Sequence, residues 1–413
     1  MNINGGSERS LRTRWVFPIC GPPLRDAMVF TAAGRIQQVT SNPGKLKTNP
    51  YDDRGDVALL PAFVNPHVHL EFSDLSKPLG EPGSSFPDWI RNVIRARKAV
   101  EPTNVTAHKS AAVQRGMDES SSHGVVALGE IVTNSIDLNA YRGDGSEVVA
   151  YRELLSNDPA RVIDQMESLE SHSIECRQKG LRPAVSPHAP YTVSMPLMEA
   201  ACRWAADQGV PLAFHLAESN EELELLSGGD GPFAELLKDA HAWFPGQFGG
   251  LRPNAYLERL AICPRVAIIH GNYLDKIERQ FISEHRDSMS LVYCPRTHAY
   301  FEHAPYPLQE YLDMGIHVAM GTDSRASNPD LRPIGELLAA AELHPKIAPK
   351  LLVEMVTMAA AEAIGVADQW GSLASGKNAT FVAIPVDPKT LDPYEALLDG
   401  LSKVNDVEVI SGT

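Results

Sequence analysis

Cysteine is scarce in this chain and unpaired in pattern. Five residues in 413 are cysteine (Cys20, Cys176, Cys202, Cys263 and Cys294), and no two form a C-x-x-C spacing. An odd, scattered set argues against a disulfide framework and against a cysteine-built zinc site. Long apolar runs are missing too, and nothing approaches the roughly 20 apolar residues that a membrane helix needs. Met1 to Arg14 is polar and lacks the apolar core of a signal peptide. Positive charge is in deficit: the formal net charge is −15, and no Lys/Arg stripe is interleaved with aromatics. That excludes a nucleic-acid footprint, although an acidic balance says little about the substrate. No internal repeat and no G-x-G-x-x-G or phosphate loop occurs. These absences predict a soluble, cytoplasmic protein in a reducing compartment, with neither membrane nor nucleic acid as partner.

What is present is a large apolar share, 43% of the residues, enough for one big domain and a smaller one. Short apolar runs recur, each followed by a polar loop and a helical stretch. Eight strands are predicted: Leu60 to His69, Gly124 to Glu130, Val148 to Leu154, Arg182 to His188, Pro211 to Leu216, Arg265 to His270, Ser290 to Cys294 and His317 to Gly321. Amphipathic segments lie between several of them, as at Asp164 to Lys179, Met195 to Gln208 and Leu308 to Met314. This alternation implies an α/β fold with parallel strands, and eight units suggest a closed, TIM-like (β/α)8 barrel. An open doubly wound sheet is the alternative.

The ends have another style. Trp15-Val16-Phe17, Met28-Val29-Phe30 and Arg35 to Val39 are β-like pieces divided by Gly and Pro. Gly371-Ser372-Leu373, Thr380 to Ile384 and Val407 to Ile410 repeat the manner. Neither set can fill a core alone. Residues 1–60 and 366–413 are therefore expected to form one small β-sandwich flanking a barrel of 61–365. Helices at Ile334 to Leu343, Pro349 to Ala359 and Ala360 to Gly365 would close that barrel. Two long spacers, Ser73 to Val100 and Ser219 to Arg265, follow strand ends on the face where barrel active sites sit.

Chemistry concentrates at those strand ends. His67-Val68-His69 closes the first apolar run, and alternate residues of a strand share a face, so both imidazoles can grip one cation. His215 to Glu218, His270-Gly271-Asn272 and Thr322-Asp323-Ser324 each follow a further run. His67, His69, His215 and Asp323 would supply three nitrogens and a carboxylate. A remaining position stays open for water, whose pKa a bound ion lowers to about 7. Three histidines with one carboxylate favour a single zinc, with iron and manganese as alternatives. Glu218, curled back by its loop, would carry a proton to a substrate nitrogen. His270 would steer the attacking water, and Asp323 would accept its proton. Each residue alone has a bland reading: a core histidine, a solvated start to the acidic run Glu221 to Glu224, a helix cap at Asp323. His188 is either a loop histidine or a substrate contact. Arg152 and Arg296 either clamp an anionic group or pair at the surface. Glu71 is expected as a supporting partner and Trp89 as a pocket wall.

Taken together, the residues Pro61 to His69, Ser186 to Ser194, His215 to Glu218, Cys294 to Phe301 and Gly321 to Ser324 resemble the amidohydrolase superfamily. The likeness is to its branch of aminopurine-type deaminases and triazine hydrolases, and it runs through nearly the whole chain. It implies a barrel with a flanking β-sandwich, one metal on His67, His69, His215 and Asp323, catalysis by Glu218 and His270, and a substrate contact at His188. The fourth strand has no Lys that could bridge a second ion. Three blocks depart from the pattern: Thr297 and His298 replace the end of a CPRSN block, Arg325 follows the block at Asp323, and the GKxAD block reads Gly376-Lys377-Asn378-Ala379-Thr380, with Thr380 in place of Asp. The first two are expected to alter substrate contacts. Glu71-Phe72-Ser73 with Phe86, Trp89 and Ile90 resembles the aminodeoxyfutalosine deaminases. The resemblance implies hydrolytic deamination of a 6-aminopurine nucleoside derivative by a homo-oligomer such as a dimer. Guanine, adenosine-type thioethers and triazines are rival small-molecule substrates, and a non-catalytic metal-binding scaffold is the alternative of another class.

Overall fold

The computed structural model describes residues 8–42, 50–142 and 145–412. Eight parallel strands succeed one another in chain order. They are β1 (Phe63–Val68), β2 (Val125–Val132), β3 (Glu147–Leu154), β4 (Arg182–Pro187), β5 (Leu212–Leu216), β6 (Val266–His270), β7 (Met289–Tyr293) and β8 (His317–Met320). The ring closes at a Val68–Asp323 bridge, where the Asp323 N–H donates to the His67 carbonyl at 3.1 Å. The architecture is thus the closed barrel rather than the open sheet.

Strands such as β5, β6 and β7 are buried on both faces, which is why they read as unbroken apolar runs. Every barrel strand sends a residue into one interior cluster: Val64, Ala127, Val149, Ala184, Ala213, Ala267, Val292 and Ala319. Small residues prevail because eight side chains must share the narrow axis. The alanine-rich helix Met358–Ile364 packs against the same cluster, near the strand starts, where the Val64 N–H donates to the Val356 carbonyl at 3.1 Å. The opposite, C-terminal mouth is left for chemistry.

The first expected strand, Leu60 to His69, is two strands. Val57–Pro61 pairs with Thr380–Pro385 in the terminal sheet, and β1 starts at Phe63 after the chain passes between sheets at Ala62. An apolar run cannot reveal this break, because both sheets bury it. The terminal segments build one seven-stranded sheet in the order Glu408–Ser411, Thr380–Pro385, Val57–Pro61, Glu8–Val16, Leu24–Ala32, Arg35–Thr40, with Asp52–Asp53 beside Glu8–Val16. Gly371-Ser372-Leu373 is a bend, not a strand; Leu373 still fills that sheet's core and donates its N–H to Pro18. The first seven residues of the polar N-terminus lie outside the described residues. The spacer Ser219 to Arg265 holds three helices, Asn220–Gly228, Pro232–Asp239 and Pro253–Leu260. The other spacer holds Phe86–Lys98, begun by Ser85, whose hydroxyl accepts from the Asp88 N–H. Among the described residues no helix is long and apolar enough to cross a membrane.

Candidate active site

The pairing register between β1 and β2 shifts between Asn65 and Val68. Val64 faces the barrel interior and Val68 the outer core, so this shift lets both His67 and His69 turn to the interior side. Asn65 pins the start of the turn: its amide donates to Thr322 Oγ1 at 2.7 Å, and its carbonyl oxygen accepts from the Thr322 N–H at 3.2 Å. The imidazole of His67 lies 4.8 Å from that of His69, 4.9 Å from that of His215 and 6.0 Å from that of His270, centre to centre. Asp323 Oδ1 stands 3.5 Å from His67 Nε2 and 3.7 Å from His69 Nε2.

Two overlapping sets of metal-competent donors share His67: one adds His215 and His270, the other His69 and Asp323. Both nitrogens of His67 and the Nδ1 of His69 are buried without a hydrogen-bond partner among the described residues. His215 Nδ1 lies 2.9 Å from the His188 carbonyl, which can only accept, so the proton sits there and Nε2 keeps its lone pair. Burial, reinforced by His67, pushes His69 down to about 3. Burial also pushes His270 down to about 3. Burial opposes the charge of Asp323, but His67 and His69 hold it below the ordinary carboxylate range. Buried imidazoles around a carboxylate, with nitrogens of His67 and His69 left unpartnered, are the donor chemistry of a divalent transition metal.

Glu218 sits one loop residue beyond this cluster, and the loop is built to aim it. Ala217 adopts φ 54°, and the buried carboxylate of Glu222 accepts from the N–H groups of Ala217 at 2.8 Å and Glu218 at 3.0 Å. Glu218 Oε1 then lies 3.3 Å from His270 Nε2. Burial, with Asp323 and Glu222 nearby, raises Glu218 well above the usual carboxyl range and so favours its protonated form. His270 at φ 68° and Asp323 at φ 55° share the left-handed backbone of Ala217. Three such non-glycine residues at the ends of β5, β6 and β8 mark a functional mouth, since each costs roughly 1–3 kcal/mol.

A model of the amidohydrolase family matches residues 58–411. The chain belongs to the amidohydrolase family. It is 27% identical to the aminodeoxyfutalosine deaminase of Deinococcus radiodurans over 329 residues, covering 76% of this chain and 75% of that protein. The structure of Helicobacter pylori aminofutalosine deaminase in complex with methylthio-coformycin resembles it at a TM-score of 0.82 and 22% identity, covering 98% of each chain. An adenosine deaminase structure from Xanthomonas campestris with bound zinc gives 0.77 at 20% identity, covering 98% of this chain and 91% of that one.

In this amidohydrolase a cavity of about 230 Å³ opens above the cluster, lined by His69, His188, His215, Glu218, His270 and Asp323 on one side and by Phe86, Trp89 and Val93 on another. Trp89 is a wall, fixed by its indole N–H donating to the Ala326 carbonyl at 3.0 Å and stacked on Phe86 at 5.6 Å. His188 also lines the cavity, with Nδ1 2.8 Å from Thr192 Oγ1.

Arg152 and Arg296 do not reach it. Val149 and Tyr151 of β3 face inward, so alternation turns Arg152 outward, where it donates to Ser168 Oγ at 2.7 Å and to the Thr133 carbonyl. Arg296 is held by Glu336 at 2.7 Å and Asp330 at 2.8 Å, beneath the mouth. The departures Thr297, His298 and Arg325 do not line the cavity either. Thr297 Oγ1 meets Ser327 Oγ at 3.0 Å, which donates to Asp323 Oδ2 at 3.1 Å. His298 stands 3.3 Å from Asn272, whose amide donates to the Glu218 carbonyl at 2.9 Å. Arg325 forks onto Glu119 at 2.7 and 2.9 Å.

Sequence reasoning missed Arg97, Glu153, Tyr191 and Glu222. Arg97 carried a signal, because Phe86, Trp89/Ile90, Val93/Ile94 and Arg97 mark one face of a helix. Glu71 supports it directly: its carboxylate pairs with Arg97 and takes Lys109 at 2.7 Å and Thr133 Oγ1 at 3.1 Å.

Proposed function

We propose that this amidohydrolase is a hydrolytic deaminase of an adenine-like nucleoside, with aminodeoxyfutalosine as the lead substrate and one zinc ion as cofactor. The observation that carries the reading is the buried Glu218 carboxyl 3.3 Å from His270, beside the donor set, where burial favours its protonated form. His67, His69, His215 and Asp323 would hold the ion, and the unpartnered nitrogens of His67 and His69 beside the Asp323 carboxylate support that assignment. When bound, a divalent ion supplies Lewis acidity that makes water nucleophilic near neutral pH.

The protein's own groups do the rest. Asp323 takes the proton that water releases on attacking the amino-bearing carbon. Glu218 gives its proton to the adjoining ring nitrogen, which lets the ring accept the electrons of the new bond. Asp323 passes the proton it took to the amino group, which leaves as ammonia while the added hydroxyl returns its proton to Glu218 and becomes a carbonyl. His270 fixes the direction of Glu218 and the approach of water, and His188 holds the heterocycle. Phe86 and Trp89 seal the apolar side against bulk solvent. A plain amide would need no such proton delivery to a ring nitrogen. The test is ammonia release from a panel of aminopurine nucleosides, with elemental analysis. Glu218→Gln abolishes release and keeps one ion per chain. Wild-type turnover in that variant removes Glu218 from the mechanism, and two ions per chain contradict the single-metal site.

A further inference from the structure

The wall of this cavity carries a second carboxylate, outside the donor set. Glu153 ends β3 with its side chain inward, 5% exposed, and among the described residues no N–H or O–H donates to it. The nearest basic atom is His188 Nε2 at 4.0 Å. Arg97 lines the same cavity, with its terminal nitrogen held by Glu71. A buried carboxylate that accepts no hydrogen bond opposes folding, and its attraction for the Arg97 cation offsets only part of that cost. A ligand that brings its own donors would offset the rest.

Position narrows the ligand. The His188 ring lies 4.8 Å from that of His215, a metal-site residue, and Glu153 is the next group beyond His188. The subsite is therefore one side chain removed from the reacting carbon. Two hydroxyls on adjacent carbons match the two oxygens of one carboxylate. We propose that Glu153 binds the vicinal sugar hydroxyls of the substrate and thereby selects ribonucleosides over deoxygenated nucleosides and free bases. This rests on the deaminase reading above and deepens it.

The experiment compares wild type with Glu153→Gln and Glu153→Leu, all metal-loaded. Calorimetry gives Kd for inosine and 2′,3′-dideoxyinosine, and kinetics give kcat/KM for adenosine and 2′,3′-dideoxyadenosine. Wild type favours the diol-bearing member roughly 10- to 100-fold, the worth of hydrogen bonds to a charged group, and in both variants the preference falls to within about 3-fold of unity. An unchanged preference in the variants, with both members weakened alike, would show that Glu153 acts only through His188 and overturns the proposal. So does a wild type without preference. Absence of ammonia from every nucleoside instead sinks the deaminase reading, a result that the inosine binding ratio distinguishes.

Discussion

Removing the Glu222 side chain tests whether the loop that aims Glu218 is held as the geometry indicates. Glu222 is fully buried on the helix Asn220–Gly228, and burial pushes it up to about 7 while its two backbone donors pull the other way. In Glu222→Ala the N–H groups of Ala217 and Glu218 lose their acceptors. Each stranded donor costs about 1–3 kcal/mol, so the variant loses about 2–6 kcal/mol. Unfolding entropy of about 2 cal/mol/K per residue over 413 residues makes each kcal/mol worth about 1 °C. Tm by calorimetry is therefore expected to fall by about 2–7 °C. Ala217, at φ 54°, then relaxes and Glu218 drifts from His270; a shift on the order of 1 Å lowers kcat about 100-fold. Glu222 touches none of the four proposed ligands, so bound metal stays at the wild-type level. A folded, metal-loaded variant with wild-type kcat would refute the reasoning. Loss of metal together with activity would show that the loop serves the donor cluster rather than Glu218.

Other perturbations probe other layers. Chelation lowers Tm and zinc restores it, since an ion at 100 times its Kd adds about 2.7 kcal/mol, a few degrees here; a thermal melt indifferent to chelator and zinc contradicts the site. Arg296→Met leaves Glu336, 0% exposed, without its cation and costs about 3–5 kcal/mol in chemical denaturation, with kcat of the folded fraction within a few-fold of wild type. Activity lost without a loss of stability would return Arg296 to the substrate. Gly129→Ala puts a methyl 2.2 Å from the Pro66 carbonyl oxygen inside the barrel, so no native circular dichroism is expected from it.

The sequence by itself determined the barrel and the places where chemistry gathers. Strands buried on both faces must be unbroken apolar runs, and eight of them alternating with helices leave few arrangements. Donors just past those runs could then be read as sharing one mouth. Tertiary structure decided where each side chain points. The register shift in β1, the left-handed turns at Ala217, His270 and Asp323, and the parity of β3 direct side chains inward or outward. They brought Glu153 into the cavity and sent its neighbour Arg152 away. The buried clamp of Glu222 was hidden inside an acidic run that looks solvated when read alone. The physical reason is reach: a run of residues encodes local periodicity, but one inserted residue or one positive φ reverses a side chain, and only the packed neighbours hold it there.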